Sequence, residues 1–300
     1  MLRLVQRLAL WLLLGALAAS PAAGQTTIPT TLPGKAVLHL SAILSGQADP
    51  LRGGLHWRLY PARAEADGSR ALIAESQVAQ PTFVVPPGDY VVHLGFGLAG
   101  QTKRVTLGEE ERSERLTLNA GALKIVGTVG GAVIPSNRLA LEIFVPQGHN
   151  PEGKLVDAKA SAGELIGLPE GPYHVVSTYL DQGAGPSGGK SATPPIPTNS
   201  IVAADIKVPA GKVIDLTLRH RFATLTLKLV NAPGAEALAN SSFTVLTPGG
   251  DLIRELVGAF PSLVLAEGEY IVIARHDQKT YQTTFQVQSA LDRDVEVIAQ

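Results

Sequence analysis

Along most of this chain, apolar and polar residues alternate with a period of two. Leu55, Trp57 and Leu59 fall on one face of a strand, and His56, Arg58 and Tyr60 on the other. Leu225, Leu227 and Leu229 repeat the pattern far downstream. Apolar runs of four to eight residues are punctuated by glycine, proline or acidic turns, and no stretch after residue 24 sustains a helical period. The pattern predicts an all-β protein of many short strands.

One turn recurs. Pro86-Pro87-Gly88-Asp89-Tyr90 is echoed by Leu168-Pro169-Glu170-Gly171-Pro172-Tyr173 and by Leu265-Ala266-Glu267-Gly268-Glu269-Tyr270. Each follows an apolar run and leads into a β-rich one. Glycine at such a turn commonly supplies a positive φ, and a tyrosine opening the next strand can return its hydroxyl to nearby backbone. Gly88, Tyr90, Gly171, Tyr173, Gly268 and Tyr270 are therefore expected to be structural corners, because a feature repeated in every unit serves the fold of the unit.

The corner glycines lie 83 and 97 positions apart. A span of roughly 80–100 residues with about seven strands is the size of one β-sandwich of the immunoglobulin kind. The chain is thus expected to hold three tandem immunoglobulin- or transthyretin-like β-sandwiches, over residues 35–120, 121–220 and 221–300. In the first, Leu72-Ile73-Ala74-Glu75 is expected to be the third strand. The second carries a Gly/Pro-rich insertion over 181–199, expected to be a surface loop. The joints are so short that the last strand of one unit runs almost directly into the first of the next, which predicts a semi-rigid rod.

The start of the chain differs. Arg3 and Arg7 precede the apolar run Leu8 to Ala19, and Ser20-Pro21-Ala22-Ala23-Gly24 supplies small residues. This reads as a secretory signal peptide over 1–24, cleaved after Gly24 and too short for a membrane span. Residues 25–34, polar and proline-bearing, read as a flexible leader. The chain has no cysteine, which excludes disulfides and thiol chemistry and suits a bacterial periplasm or exterior. Its 25 basic and 26 acidic side chains leave no excess to attract nucleic acid, and losing Arg3 and Arg7 takes the net charge from −1 to −3. Hydrophobic residues make up 45% and aromatic residues 5%, so the cores are expected to be aliphatic.

The corner in the first unit, Phe83-Val84-Val85-Pro86-Pro87-Gly88-Asp89-Tyr90, resembles that of carboxypeptidase regulatory-like and collagen-adhesin B-type modules. Unit two keeps Pro169, Gly171 and Tyr173, and unit three Gly268 and Tyr270, with Ala266 where proline would stand. The three-unit arrangement also resembles exported proteins of alphaproteobacteria. The resemblance implies transthyretin-like sandwiches with scaffold, spacer or sugar-binding roles rather than catalysis. The Lys–Asn crosslink of the adhesin modules has no convincing residue set here.

Candidate chemistry is sparse. His93, His174 and His276 follow their corner tyrosines at offsets of three, one and six, so they share no face across the repeats. No histidine pair has zinc-ligand spacing, and no nucleophile elbow, phosphate loop or dinucleotide fingerprint occurs. No catalytic residue, cofactor or metal site is therefore expected. The functional expectation is a non-enzymatic envelope protein, a spacer or protein-interaction module whose partner is another envelope protein or a glycan. In the alternative, glycan binding, Tyr60, Tyr179 and Tyr281 would be the stacking platforms.

Overall fold

The computed structural model describes residues 34–148, 150–181 and 195–300, with the backbone alone at 150–152. The signal peptide assigned to 1–24, the leader up to residue 33 and the centre of the 181–199 insertion lie outside the described residues.

Three sets of strands follow one plan. The first comprises β1 (Ala36–Leu44), β2 (Leu55–Pro61), β3 (Ala74–Ser76), β4 (Thr82–Val85), β5 (Gly88–Phe96), β6 (Ala99–Leu107) and β7 (Glu111–Leu118). They form two sheets of order β4-β1-β7 and β3-β2-β5-β6. The second set comprises β8 (Ala120–Val129), the short β9 (Ala132–Val133), β10 (Leu139–Gln147), β11 (Asn150–Ala160), β12 (Leu165–Pro169), β13 (Gly171–Asp181), β14 (Ile196–Val208) and β15 (Val213–Arg219). Its sheets run β12-β8-β15 and β11-β10-β13-β14. The third comprises β16 (Phe222–Val230), β17 (Ser242–Leu246), β18 (Leu252–Val257), β19 (Ser262–Ala266), β20 (Gly268–His276), β21 (Lys279–Val287) and β22 (Arg293–Ile298), in sheets β19-β16-β22 and β18-β17-β20-β21. In every set the first strand pairs in parallel with the last.

Alternation explains the layering. Strand β2 buries Leu55, Trp57 and Leu59 and leaves His56, Arg58 and Tyr60 half-exposed. In unit one the inward residues meet Leu38, Leu40, Phe83, Tyr90, Leu94 and Phe96 between the two sheets. Unit two centres on Leu123, Ile125, Leu141, Ile143 and Val175, and unit three on Leu225, Leu227, Phe243, Val245 and Val272. Burying each such side chain stabilises the fold by about 1.5–3 kcal/mol.

Three local expectations are corrected. The third strand begins at Ala74, and Leu72 and Ile73 precede it as exposed residues. An edge strand this short cannot bury both neighbours. The proposed insertion is shorter than 181–199, since Asp181 completes β13 and 196–199 open β14. The positive φ expected at all three corner glycines is found at only two of them. Gly88 (φ 159°) and Gly268 (φ 157°) adopt it, whereas Gly171 does not.

The joints are continuous. Only Asn119 separates β7 from β8, and Ala120 and Ala122 of β8 are buried in the core of unit one. Only His220 and Arg221 separate β15 from β16.

Candidate functional site

At all three corners the tyrosine is buried and its hydroxyl reaches the carbonyl four residues back. Tyr90 donates to Pro86 O at 2.6 Å, Tyr173 to Pro169 O at 2.8 Å and Tyr270 to Ala266 O at 2.9 Å. Burial raises the pKa of each phenol, so all three remain neutral donors. In each case the ring crosses the glycine. A Cβ on Gly88 would lie 3.7 Å from the Tyr90 ring, one on Gly268 3.6 Å from the Tyr270 hydroxyl, and one on Gly171 4.0 Å from the Tyr173 ring. A methyl group would just touch the ring, and anything longer would obstruct it. The glycine provides a flat seat for the tyrosine.

The corner of unit three also belongs to a joint. Asn199 Nδ2 donates to the Tyr270 hydroxyl at 2.9 Å, and Asn199 Oδ1 accepts from Ala266 N–H at 2.9 Å. Arg254 pairs with Asp181 at 3.1 Å, both largely buried. Tyr179 and Phe222 stack with ring centroids 4.0 Å apart, in an apolar cluster with Ile134, Leu139 and Val264. Deeper in, His220 is buried between two hydroxyls, with Ser177 Oγ 2.9 Å from Nε2 and Ser200 Oγ 3.1 Å from Nδ1. A neutral imidazole, with one donor and one acceptor nitrogen, is satisfied by such a pair. Burial lowers the His220 pKa and so favours that neutral form.

The joint between units one and two depends on bare backbone. A Cβ on Gly97 would lie 2.3 Å from Gly167 O, and one on Gly167 2.4 Å from Phe96 O. Leu98 N–H donates to Gly167 O at 2.9 Å, and Gln47 Nε2 donates to Gly211 O at 2.7 Å.

A cluster of polar side chains lies beside that joint, on the outer face of the β3-β2-β5-β6 sheet. Register places Glu75, Arg58, His93 and Thr102 in one row across the four strands. The adjacent row runs from His56 to Gly95 to Gly100. The two glycines leave a hollow where side chains would otherwise stand. The result is an open cavity of about 540 Å³ lined by His56, Arg58, Gln77, His93 and this glycine floor, within the usual size range of ligand pockets, about 300–1,000 Å³. Arg58 Nη2 donates to His56 Nδ1 at 3.1 Å, which leaves His56 Nε2 to donate to Glu75 Oε2 at 3.1 Å. Burial, then the nearby Arg58 and His56, lowers the His93 pKa.

The sequence placed His56, Arg58 and Tyr60 on one face but gave no sign that His93 and Glu75 join them. Tyr60 is half-buried on that face, one row beyond Arg58 and outside the cavity lining. Tyr179 is no sugar platform, because it is buried against Phe222 with its hydroxyl accepting from Arg138 Nη1 at 2.9 Å. Tyr281 leans on the core of unit three. Among the described residues no group of three or more His, Asp or Glu side chains is arranged to hold a metal ion, and no helix is long and apolar enough to cross a membrane.

Residues 224–299 match the family model of the Rhizobiales growth-associated tandem repeat domain. No curated protein matches the chain. Among solved structures, the chain is similar to the Bacillus anthracis TIE protein, with 16% identity over 89% of this chain and a TM-score of 0.24. The alignment spans 50% of that protein's length. A streptococcal ancillary pilin shows 10% identity over 89% of this chain and 99% of its own, with a TM-score of 0.29. The minor pilin GBS52 of Streptococcus agalactiae shows 14% identity over 62% of this chain and 95% of its own, with a TM-score of 0.26. Identities and scores this low carry no information on function.

Proposed function

We propose that the chain is an exported, non-enzymatic spacer or interaction module of the bacterial envelope, periplasmic or extracellular, built from β-sandwich repeats divided near residues 120 and 220. The observation that carries this reading is the pair of filled joints. Asn199, Asp181, Tyr179 and Phe222 fasten unit two to unit three, and Gly97 and Gly167 bring units one and two into backbone contact. Such joints hold successive units at fixed angles, which a spacer requires and an independent set of catalytic domains does not. The corner tyrosines and glycines serve the fold, and the finer kinship with carboxypeptidase regulatory-like and collagen-adhesin B-type modules rests on those same corners. The repeat-family match over unit three supports a repeat-built protein. Small-angle scattering of the chain beginning at Gln25 tests the reading. An elongated particle of fixed length is expected, and a compact globule contradicts it.

A second reading, glycan binding, is favoured by the polar hollow on unit one, where donors and acceptors surround a bare floor.

A further inference from the structure

We infer that the hollow on the outer face of unit one is a saccharide-binding site for an uncharged, hydroxyl-rich ligand. The inference deepens the glycan reading and is independent of the spacer reading. Three observations converge on it.

The first is shape. Opposite His56 the sheet presents Gly95 and then Gly100 in adjacent strands. A Cβ on Gly100 would come within 3.3 Å of Leu94 O and 3.5 Å of His93 Nε2, so a larger side chain would fill the hollow. The floor is flat backbone, on which a sugar ring can lie without displacing a side chain.

The second is charge balance. Arg58, the one charged side chain among the lining residues, is paired with Glu75 just outside the lining, Nε to Oε2 at 4.0 Å, and His56 bonds to both. One cation and one anion leave no net field to favour a charged ligand. The wall itself keeps Arg58 as a donor, and Gln77 adds both a donor and an acceptor. Hydroxyl groups, which donate and accept, match that lining better than a carboxylate or a phosphate does.

The third is preorganisation. The rim residues Gly97 and Leu98 are docked on unit two through Leu98 N–H to Gly167 O. The wall residues are tied to each other by the Arg58–His56–Glu75 chain. A ligand therefore meets a formed site and need not order a loop, which lowers the entropic cost of binding.

The test is titration of the isotope-labelled chain from Gln25 with cellotetraose, maltotetraose and chitotetraose, with tetragalacturonate as the charged arm, followed by NMR shifts and calorimetry. At least one neutral tetrasaccharide is expected to bind, with shifts at Gly95, Gly100, His56 and His93. Gly100→Val and Arg58→Gln should each weaken it at least tenfold while leaving the thermal transition seen by Trp57 fluorescence in place. If Gly100→Val proves unstable, Gln77→Ala at the rim supplies the same comparison. Binding of a neutral sugar with shifts elsewhere, or unaffected by these variants, overturns the site but not the glycan reading. Binding of tetragalacturonate alone overturns the neutral-ligand assignment. No binding by any of the four overturns both, and none of these outcomes touches the spacer reading.

Discussion

Removing the hydroxyl from each corner tyrosine in turn should give unequal costs that follow the hydrogen bonds. In Tyr90→Phe and Tyr173→Phe one bond is lost, to Pro86 O and Pro169 O respectively, and ring packing is unchanged. The net worth of such a bond is about 1 kcal/mol, because water replaces the partner in the unfolded chain. Tyr270→Phe loses two, since its hydroxyl donates to Ala266 O and accepts from Asn199 Nδ2, and should cost about 2 kcal/mol. For a unit of this size, about 1 kcal/mol corresponds to a Tm shift of about 4–8 °C. Calorimetry on the chain from Gln25, with urea melts read by far-UV circular dichroism, measures all three variants. Trp57, fully buried in unit one, reports Tyr90→Phe separately by fluorescence. Asn199→Ala combined with Tyr270→Phe should cost less than the sum of the two, because both remove the same bond. A Tyr90→Phe loss below about 0.3 kcal/mol, or a Tyr270→Phe loss no larger than it, refutes the assignment of the corner hydroxyls as structural donors.

Other perturbations follow the joints. Gly167→Ala places a methyl within 2.4 Å of Phe96 O and should cost about 1–3 kcal/mol or separate units one and two, as seen in calorimetry and scattering. His220 has a lowered pKa in the folded chain. Its contribution is complete above about pH 6.5, the unfolded value, and is lost as pH falls through that value toward the folded one. Acidification from pH 7 to 5 should therefore destabilise the parent chain more than His220→Asn, measured by urea melts at each pH. The three tyrosines act in the opposite direction, with folded pKa values above the unfolded value of about 10. Stability should hold up to about pH 10 and fall above it, less steeply in Tyr90→Phe.

What the sequence made legible was local. Alternation in 55–60 and 225–229 identified strands and their buried faces, and the recurrence of Gly and Tyr two residues apart identified corners, because each depends on neighbours in sequence. What stayed hidden depended on register and on residues far apart. His93 sits beside Arg58 only because β2 and β5 pair in one particular alignment, and period-two reasoning cannot supply that alignment. Asn199 meets Tyr270 across 71 residues, and Asp181 meets Arg254 across 73. Tyr179 read as an exposed platform because alternation sorts residues into two faces without saying that one end of a face is covered by the next unit. The positive φ expected of the corner glycine is present at Gly88 and Gly268 but not at Gly171, and its second role, seating the tyrosine ring, was not visible in the sequence.

The protein's lack of cysteine makes the rigidity of the joints directly measurable. Spin labels at Arg104→Cys on β6 and Gln282→Cys on β21, both exposed strand positions, report the separation of units one and three by double electron–electron resonance. A single narrow distance distribution, broadened in Gly167→Ala, is the expected result. A broad distribution in the parent chain would show freely hinged units and contradict the account.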